Sequence, residues 1–339
     1  MKTLLVRGYG PEDRIRLEEA AIPEPGAGQV RIKVRACGIS FVDLLLARGG
    51  YQVRPPTPFV PGSEFSGVVD ALGDGEGQGE GETANGRLRP GDRVCGTRMG
   101  AWSEYICIPR SLAFALPPQA DFIEASVLLA PYLTSLYALR SRAQLSPGET
   151  LLVLGATGSV GHAAVQLGKI LGARVIAAAS TDAKRAAALA AGADAVVDST
   201  ADWKAAVKAL AAPGGVDVVY DPVGGDATDT AFRTLAWGGR HLMVGFAGGE
   251  IGALKSNLSI VKGASLVGVD ARQAGERTPA LMHALRTEVL ALYGQGRIRP
   301  LVSHVLPVER FDEAAEKTND RAGFGRVVFT FDDGARQDA

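Results

Sequence analysis

Cysteine is scarce. The 339 residues hold three, Cys37, Cys95 and Cys107, an odd number with no C-x-x-C pair. A disulfide framework is therefore not expected, and a reducing, cytoplasmic location is. An excess of charge of either sign is also missing. The 36 Lys and Arg stand against 37 Asp and Glu, so no basic field exists for a nucleic-acid partner. No stretch approaches the roughly 18 apolar residues of a membrane span. The apolar run in Met1–Arg7 is too short for a signal peptide, so no membrane partner is expected. Aromatics are few, with 11 Phe, 7 Tyr and 3 Trp. Glycine, by contrast, is abundant at 43 residues, which suits tight turns and close backbone approaches. A hydrophobic fraction of 46% against 22% charged residues excludes disorder over the whole length. At about 150 residues per domain the chain is long enough for about two.

Val30, Ile32, Val34 and Ala36 alternate with Arg31, Lys33 and Arg35, which makes 29–36 a strand with one wet face. Val68-Val69, Arg93–Cys95 and Tyr105–Ile108 are further short strands between Gly/Pro turns, so the first ~120 residues read as a small, partly closed β-barrel. Residues 73–82 alternate glycine with mostly acidic side chains and have nothing to bury, which predicts a mobile surface loop ending at the turn 89–92. From about Asp121 the texture changes. Short β-branched runs at 151–154, 174–179, 195–198, 217–221, 240–245 and 265–269 alternate with Ala- and Leu-rich stretches long enough for crossover helices. That alternation predicts βαβ units and a doubly wound parallel sheet. After about Ala271 a helix at 279–293, a strand at 303–306, a short helix at 311–318 and a strand at 325–331 are expected. This tail is too short to stand alone and should return to complete the barrel. The expected domains are thus 1–122 plus 271–339, and 123–270.

The first run of the parallel set enters Gly155-Ala156-Thr157-Gly158-Ser159-Val160-Gly161 and then a helical stretch. Read as A-x-G-x-x-G, Ala156, Gly158 and Gly161 take the three small positions. They allow a tight turn, close approach of a pyrophosphate, and close packing of helix on strand. The helix N-terminus then offers N–H groups to phosphates. Ala156, Thr157, Gly158, Ser159 and Val160 are therefore candidate cofactor-binding residues. An NAD site usually places Asp or Glu about 20 residues on, to hold the ribose. Here Ala179 stands there, followed by Ser180, Thr181, Lys184 and Arg185. Hydroxyls and cations accommodate a 2′-phosphate that a carboxylate would repel, so NADPH is expected over NADH. The alternative is that Lys184 and Arg185 form a solvated helix face, with Asp182 offsetting their charge. Ser199 is a further cofactor-binding candidate. Val244, Gly245 and Phe246 end a strand at the carboxyl edge of the sheet, where ligands bind. Their backbone and that of Val269 are candidates to hydrogen-bond the nicotinamide carboxamide.

A β-rich segment, an inserted nucleotide domain and a returning tail occur here together with 34–43, 61–69, 91–94, 128–134 and the glycine turn. In this the chain resembles the medium-chain dehydrogenase/reductase superfamily, most closely its zinc-independent, zeta-crystallin-like quinone oxidoreductase branch. The resemblance spans nearly the whole chain. It implies a Rossmann sheet inserted into a β-rich, GroES-like partial barrel, NADPH as cofactor, a quinone or enone as small-molecule substrate, and a homodimer pairing at 265–269. Where zinc members carry ligands, this chain has Ser40, Ser63 and Ala130. Glu64 alone cannot hold a metal, because zinc needs about four N, S or O donors. No zinc is expected. The cysteines read as small buried residues or inert thiols.

Without a Lewis acid, charge developing on an unactivated carbonyl has little to stabilise it. An electron-poor acceptor spreads that charge itself. Hydride transfer to a quinone or an activated α,β-unsaturated carbonyl is therefore expected. The resemblance places Ser40 facing the nicotinamide, although many relatives carry Asn there, and Asp43 near the cofactor; Asp43 alternatively caps the helix 44–48. Tyr51 matches a tyrosine implicated in substrate or cofactor contact and is a candidate donor, or else a loop anchor. Tyr132 is a second candidate donor, or a core residue, and Thr134 is expected on the nicotinamide side. The competing classes are a low-turnover NADPH-binding interaction protein and a zinc alcohol dehydrogenase.

Overall fold

The period-two run becomes the spine of the first of two units. Gln29–Ile39 forms one 11-residue strand whose side chains alternate between half-buried and buried as far as Ala36. The alternation stops at Cys37, Gly38 and Ile39, which are all buried. The chain at Ser126 and Val127 covers them: a Cβ on Gly38 would stand 2.5 Å from Val127 Cγ1. The computed structural model describes residues 1–10, 15–75, 87–320 and 322–331. Most of the acidic, glycine-alternating stretch expected as a loop therefore lies outside the described residues. The two units are Met1–Ala130 with Leu290–Ala339, and Pro131–Val289. The sequence put the divisions near 122 and 270.

In the first unit a seven-stranded sheet runs in the order Val302–Pro307, Arg326–Thr330, Gln29–Ile39, Glu64–Leu72, Arg93–Thr97, Ala113–Ala115, with Tyr105–Pro109 also paired to Gln29–Ile39. One edge of that long strand is shared: Tyr105–Pro109 takes residues 29–33, and Arg326–Thr330 takes residues 36–39. The tail thus returns to the β-unit. Beneath the sheet Trp102, Phe311 and Phe329 pack with ring centroids 5.5 to 5.7 Å apart, and Trp102 Nε1 donates to Gly38 O. Each such ring contributes about 2–3 kcal/mol by burial. A hairpin, Lys2–Leu5 with Arg16–Glu19, and the strand Ala113–Ala115 were not foreseen.

The second unit is a six-stranded, all-parallel sheet. Its order is Ala195–Asp198, Arg174–Ala179, Thr150–Val153, Val216–Asp221, Leu235–Met243, Ser265–Gly268. Chain order 3-2-1-4-5-6 is the doubly wound dinucleotide-binding order. The fifth strand begins earlier than expected, but its register jumps from Val216/Leu235 to Val218/Arg240, so 236–239 bulge out. Gly238 sits there at φ +75°. Regular pairing resumes at Arg240 and runs to Met243.

Candidate functional site

In the second unit the strand Thr150–Val153 feeds the glycine turn and then the helix Ser159–Ile170. Gly155 has φ +55°, and Gly158 N–H closes the turn on Gly155 O at 3.0 Å. A Cβ on Gly161 would lie 2.2 Å from Gly155 O, so only glycine permits this helix-to-turn packing. Gly158 is the N-cap residue, exposed, and no side chain caps the helix. The first-turn N–H groups of Ser159 and Val160 therefore face outward without a side-chain acceptor, the arrangement that takes an anion. Ala156 and Thr157 are buried beneath the turn. These residues fit a pyrophosphate.

At the carboxyl ends of the neighbouring strands, Ser180 is half-buried, and Thr181 and Ser199 are exposed. Thr181 caps the helix Asp182–Ala190, accepting Lys184 N–H at 3.2 Å. The solvated-face alternative holds in part: Asp182 does offset Arg185, whereas Lys184 is not solvated. Lys184 is buried, and the Arg185 guanidinium is spent on Ala179 O, Asp182 and Asp198. Asp182 offsets Arg185 rather than reaching toward a ligand.

The segment after the fifth strand has its backbone donors engaged. Val244 N–H and Gly245 N–H go to Asp221 O at 2.9 and 3.4 Å, and Val269 N–H goes to Met243 O at 3.0 Å. These donors are taken, so only the carbonyls of these three residues are left to meet a carboxamide, as acceptors of its NH₂ group. Phe246 is exposed. Sequence reasoning missed the group beneath, where Asp221 and His241 are fully buried and meet at 3.0 Å. Their 20-residue separation carries no motif. Tyr132 is also in this unit. It is buried, with its hydroxyl donated to Gln166 Oε1 at 2.8 Å, which is the core placement of the two foreseen. Thr134 lies half-buried on the helix Leu129–Leu136.

In the first unit, Ser40 is the N-cap of the helix Phe41–Ala47, which starts three residues before the expected 44–48. Ser40 Oγ donates to Asp43 Oδ2 at 2.6 Å, and Asp43 N–H returns to Ser40 Oγ at 3.0 Å. Asp43 therefore does cap this helix, as the third helical residue of a capping box. Asp43 is buried, and burial pushes its carboxyl up against the pull of the Ser40 and Ser63 hydroxyls and the Arg326 guanidinium. Glu64 is raised by burial too, opposed by Arg326 at 3.0 Å and by Ala130 N–H at 2.8 Å. Ser40, Ser63, Glu64 and Ala130, grouped by the resemblance as former ligand positions, are joined through Asp43 and Arg326. Arg326 was missed because it lies 262 residues from its partner. Tyr51 is half-buried in the following loop, and its hydroxyl makes no hydrogen bond among the described residues. Burial raises the Cys37 and Cys95 thiols, so neither is a ready nucleophile. Among the described residues no three His, Cys, Asp or Glu side chains gather as a metal site, and no helix is long and apolar enough to cross a membrane.

A family model described as zinc-binding dehydrogenase matches residues 159–287, and one described as alcohol dehydrogenase GroES-like domain matches residues 26–118. Quinone oxidoreductase-like protein 2 of Mus musculus is 34% identical over 319 residues, 93% of this chain and 89% of that protein. The quinone oxidoreductase of Thermus thermophilus, solved also with NADPH, superposes with a TM-score of 0.83 at 29% identity, covering 98% of this chain and 100% of that one. The CurK enoyl reductase superposes at 0.85 with 26% identity, covering 97% and 98%. With its doubly wound sheet and GroES-like β-unit, the chain belongs to the medium-chain dehydrogenase/reductase superfamily, as an oxidoreductase with quinone oxidoreductase-like relatives.

Proposed function

We propose that this chain is an NADPH-dependent, metal-independent reductase of quinones or activated α,β-unsaturated carbonyls. The observation that carries the reading is the donor set at the positions where zinc members hold their metal. Ser40 and Ser63 hydroxyls are bound to Asp43, Glu64 is bound to Arg326 and Ala130 N–H, and Ala130 has only a methyl side chain. Neutral hydroxyls committed to a neighbour do not replace thiolate and imidazole. Without a Lewis acid the acceptor must carry its own charge, which a quinone or enone does by delocalisation.

NADPH supplies the hydride when bound. The chain's part is to hold and orient. The uncapped helix N-terminus at Gly158–Val160 takes the pyrophosphate, and Ser180, Thr181, Lys184 and Ser199 take the 2′-phosphate side, with no carboxylate at Ala179 to repel it. Val244, Gly245, Phe246, Val269 and Thr134 orient the nicotinamide. The Tyr51 hydroxyl presents its O–H group to the acceptor oxygen, and Ser40, its own proton held by Asp43, lines the nicotinamide side.

The sheet edge supports a homodimer. Ser265–Gly268 is a terminal strand with Leu266 exposed. Beside it Ile260 and Trp237 are 81% and 79% exposed, and Trp237 lies against Gly263. Such an edge pairs with a second copy about a two-fold axis. The three cysteines, all free thiols, support a reducing, cytoplasmic setting.

The test is NADPH oxidation against 1,4-benzoquinone, cyclohexenone, an acrylate, an enoyl-CoA and a simple ketone, with metal content and sedimentation measured on the same sample. Turnover of the electron-poor acceptors by metal-free dimer is expected. Binding without turnover would make the chain a cofactor-holding interaction protein. Metal-dependent alcohol oxidation would make it a zinc alcohol dehydrogenase.

A further inference from the structure

Asp221 closes the strand Val216–Asp221, and its carboxylate has no exposed atom surface to speak of. It accepts four hydrogen bonds. Val223 N–H and Gly224 N–H reach Oδ1, both at 2.9 Å; Thr228 Oγ1 and His241 Nε2 reach Oδ2 at 2.8 and 3.0 Å. Four is about the capacity of a carboxylate. A carboxylate only accepts, so His241 carries its proton on Nε2, which leaves Nδ1 buried without a partner among the described residues. Burial pushes Asp221 up, but His241 and the other donors outweigh it and hold the group below the usual carboxylate range. So much buried polarity is more than a strand end needs.

What the carboxylate braces is the turn 222–225, and that turn touches two segments assigned to the cofactor. On one side it carries 244–248: Val244 and Gly245 N–H bind Asp221 O, Ala247 N–H binds Pro222 O at 3.0 Å, and Gly248 N–H binds Val223 O at 2.8 Å. The Phe246 ring lies where a Gly224 Cβ would be, at 2.8 Å. On the other side Val223 Cγ2 stands 3.1 Å from where a Gly155 Cβ would be, against the phosphate turn. A braced turn between two ligand-facing segments fixes their separation.

We propose that Asp221, braced by His241 and Thr228, is a positioning residue that sets Val244–Ala247 at the spacing from the glycine turn which the nicotinamide end of a dinucleotide requires; this rests on the NADPH reading above. Asp221 touches no ligand itself and acts through the backbone it holds. The Gly155 contact is only van der Waals, whereas the 244–248 contacts are hydrogen bonds, so the nicotinamide side bears the effect.

The experiment measures dissociation constants of NADPH and of adenosine 2′,5′-bisphosphate, which lacks the nicotinamide half, for the wild-type chain, Asp221→Asn, Thr228→Val and Thr228→Ser. Asp221→Asn turns an amide NH₂ toward the His241 proton. It should weaken NADPH about tenfold and leave the bisphosphate within twofold. Thr228→Val should weaken NADPH about threefold, and Thr228→Ser, which keeps the hydroxyl, should restore it. If Asp221→Asn does not fold, the Thr228 pair decides alone. Unchanged NADPH affinity, or equal loss for both ligands, overturns the proposal. A wild-type chain that binds neither ligand overturns the NADPH reading, and the positioning role with it.

Discussion

Two glycines in one turn should respond oppositely to the same methyl group. At Gly161 an added Cβ would sit 2.2 Å from Gly155 O and 3.0 Å from Ala156 Cα, while ordinary contact begins near 3.4 Å. Both obstacles are backbone, so the helix and turn must separate by about 1 Å, at an overpacking cost of about 1–3 kcal/mol. In a unit of this size that lowers Tm by roughly 2–12 °C. At Gly158 an added Cβ meets only Gly155 O, at 3.4 Å, and φ −71° with ψ 164° suits any residue. Replacing an N-cap glycine by alanine costs about 1 kcal/mol at most. Its methyl would nevertheless stand where the pyrophosphate must approach. Gly158→Ala should therefore melt within a few degrees of wild type yet bind NADPH at least tenfold more weakly, while Gly161→Ala loses stability first. Differential scanning fluorimetry with NADPH fluorescence titration reads both. Wild-type affinity in Gly158→Ala would refute the assignment of this turn to phosphate.

Three further outcomes are expected. Ser180→Asp puts a carboxylate beside the 2′-phosphate and should lower the ratio of kcat/KM for NADPH over NADH at least tenfold; an unmoved ratio would detach this strand end from cofactor choice. Tyr51→Phe should cut kcat on enones by about tenfold, the lower end of general-acid effects, and an unchanged kcat removes the phenol from the chemistry. In acid, burial raises Glu149, but the paired bonds from Arg240 and Ser146 N–H outweigh it and leave its carboxyl below the usual range; Asp194, bound by Lys169 and Val175 N–H, is lowered likewise. A depressed acid stabilises the fold above its unfolded pKa, about 4. Tm should therefore fall as pH drops below that value, and Glu149→Gln should show a shallower acid limb in a melting series from pH 6 to pH 3.

Local pattern carried far in this chain. The strands 174–179 and 195–198 run between the very residues that their β-branched and alanine content marked, and the glycine turn was recognised together with the strand before it and the helix after it. What stayed hidden was made by tertiary pairing. The strand at 240–245 was expected to begin at Arg240, and its earlier start at Leu235 comes from pairing with Val216 across a bulge. Lys2–Leu5 and Arg16–Glu19 have mixed composition with little alternation, and only their pairing makes them strands. The same holds at the site. Ser40 and Asp43, three residues apart, were each singled out in the sequence though not as a pair, whereas Asp221 with His241 and Glu64 with Arg326 are joined only by the fold. Val244 and Val269 were legible as residues of the sheet edge, but the commitment of their N–H groups to neighbouring carbonyls belongs to the register of the sheet.

The late strand Arg326–Thr330 lies between Val302–Pro307 and Gln29–Ile39, inside the sheet rather than at its rim. Synthesis is vectorial, so the nucleotide unit has its last residue, Val289, before that strand leaves the ribosome. Half of one edge of Gln29–Ile39, residues 36–39, must wait with its ladder open for nearly three hundred residues of translation. A nascent chain stalled in that interval exposes an unpaired strand edge to its neighbours on a polysome.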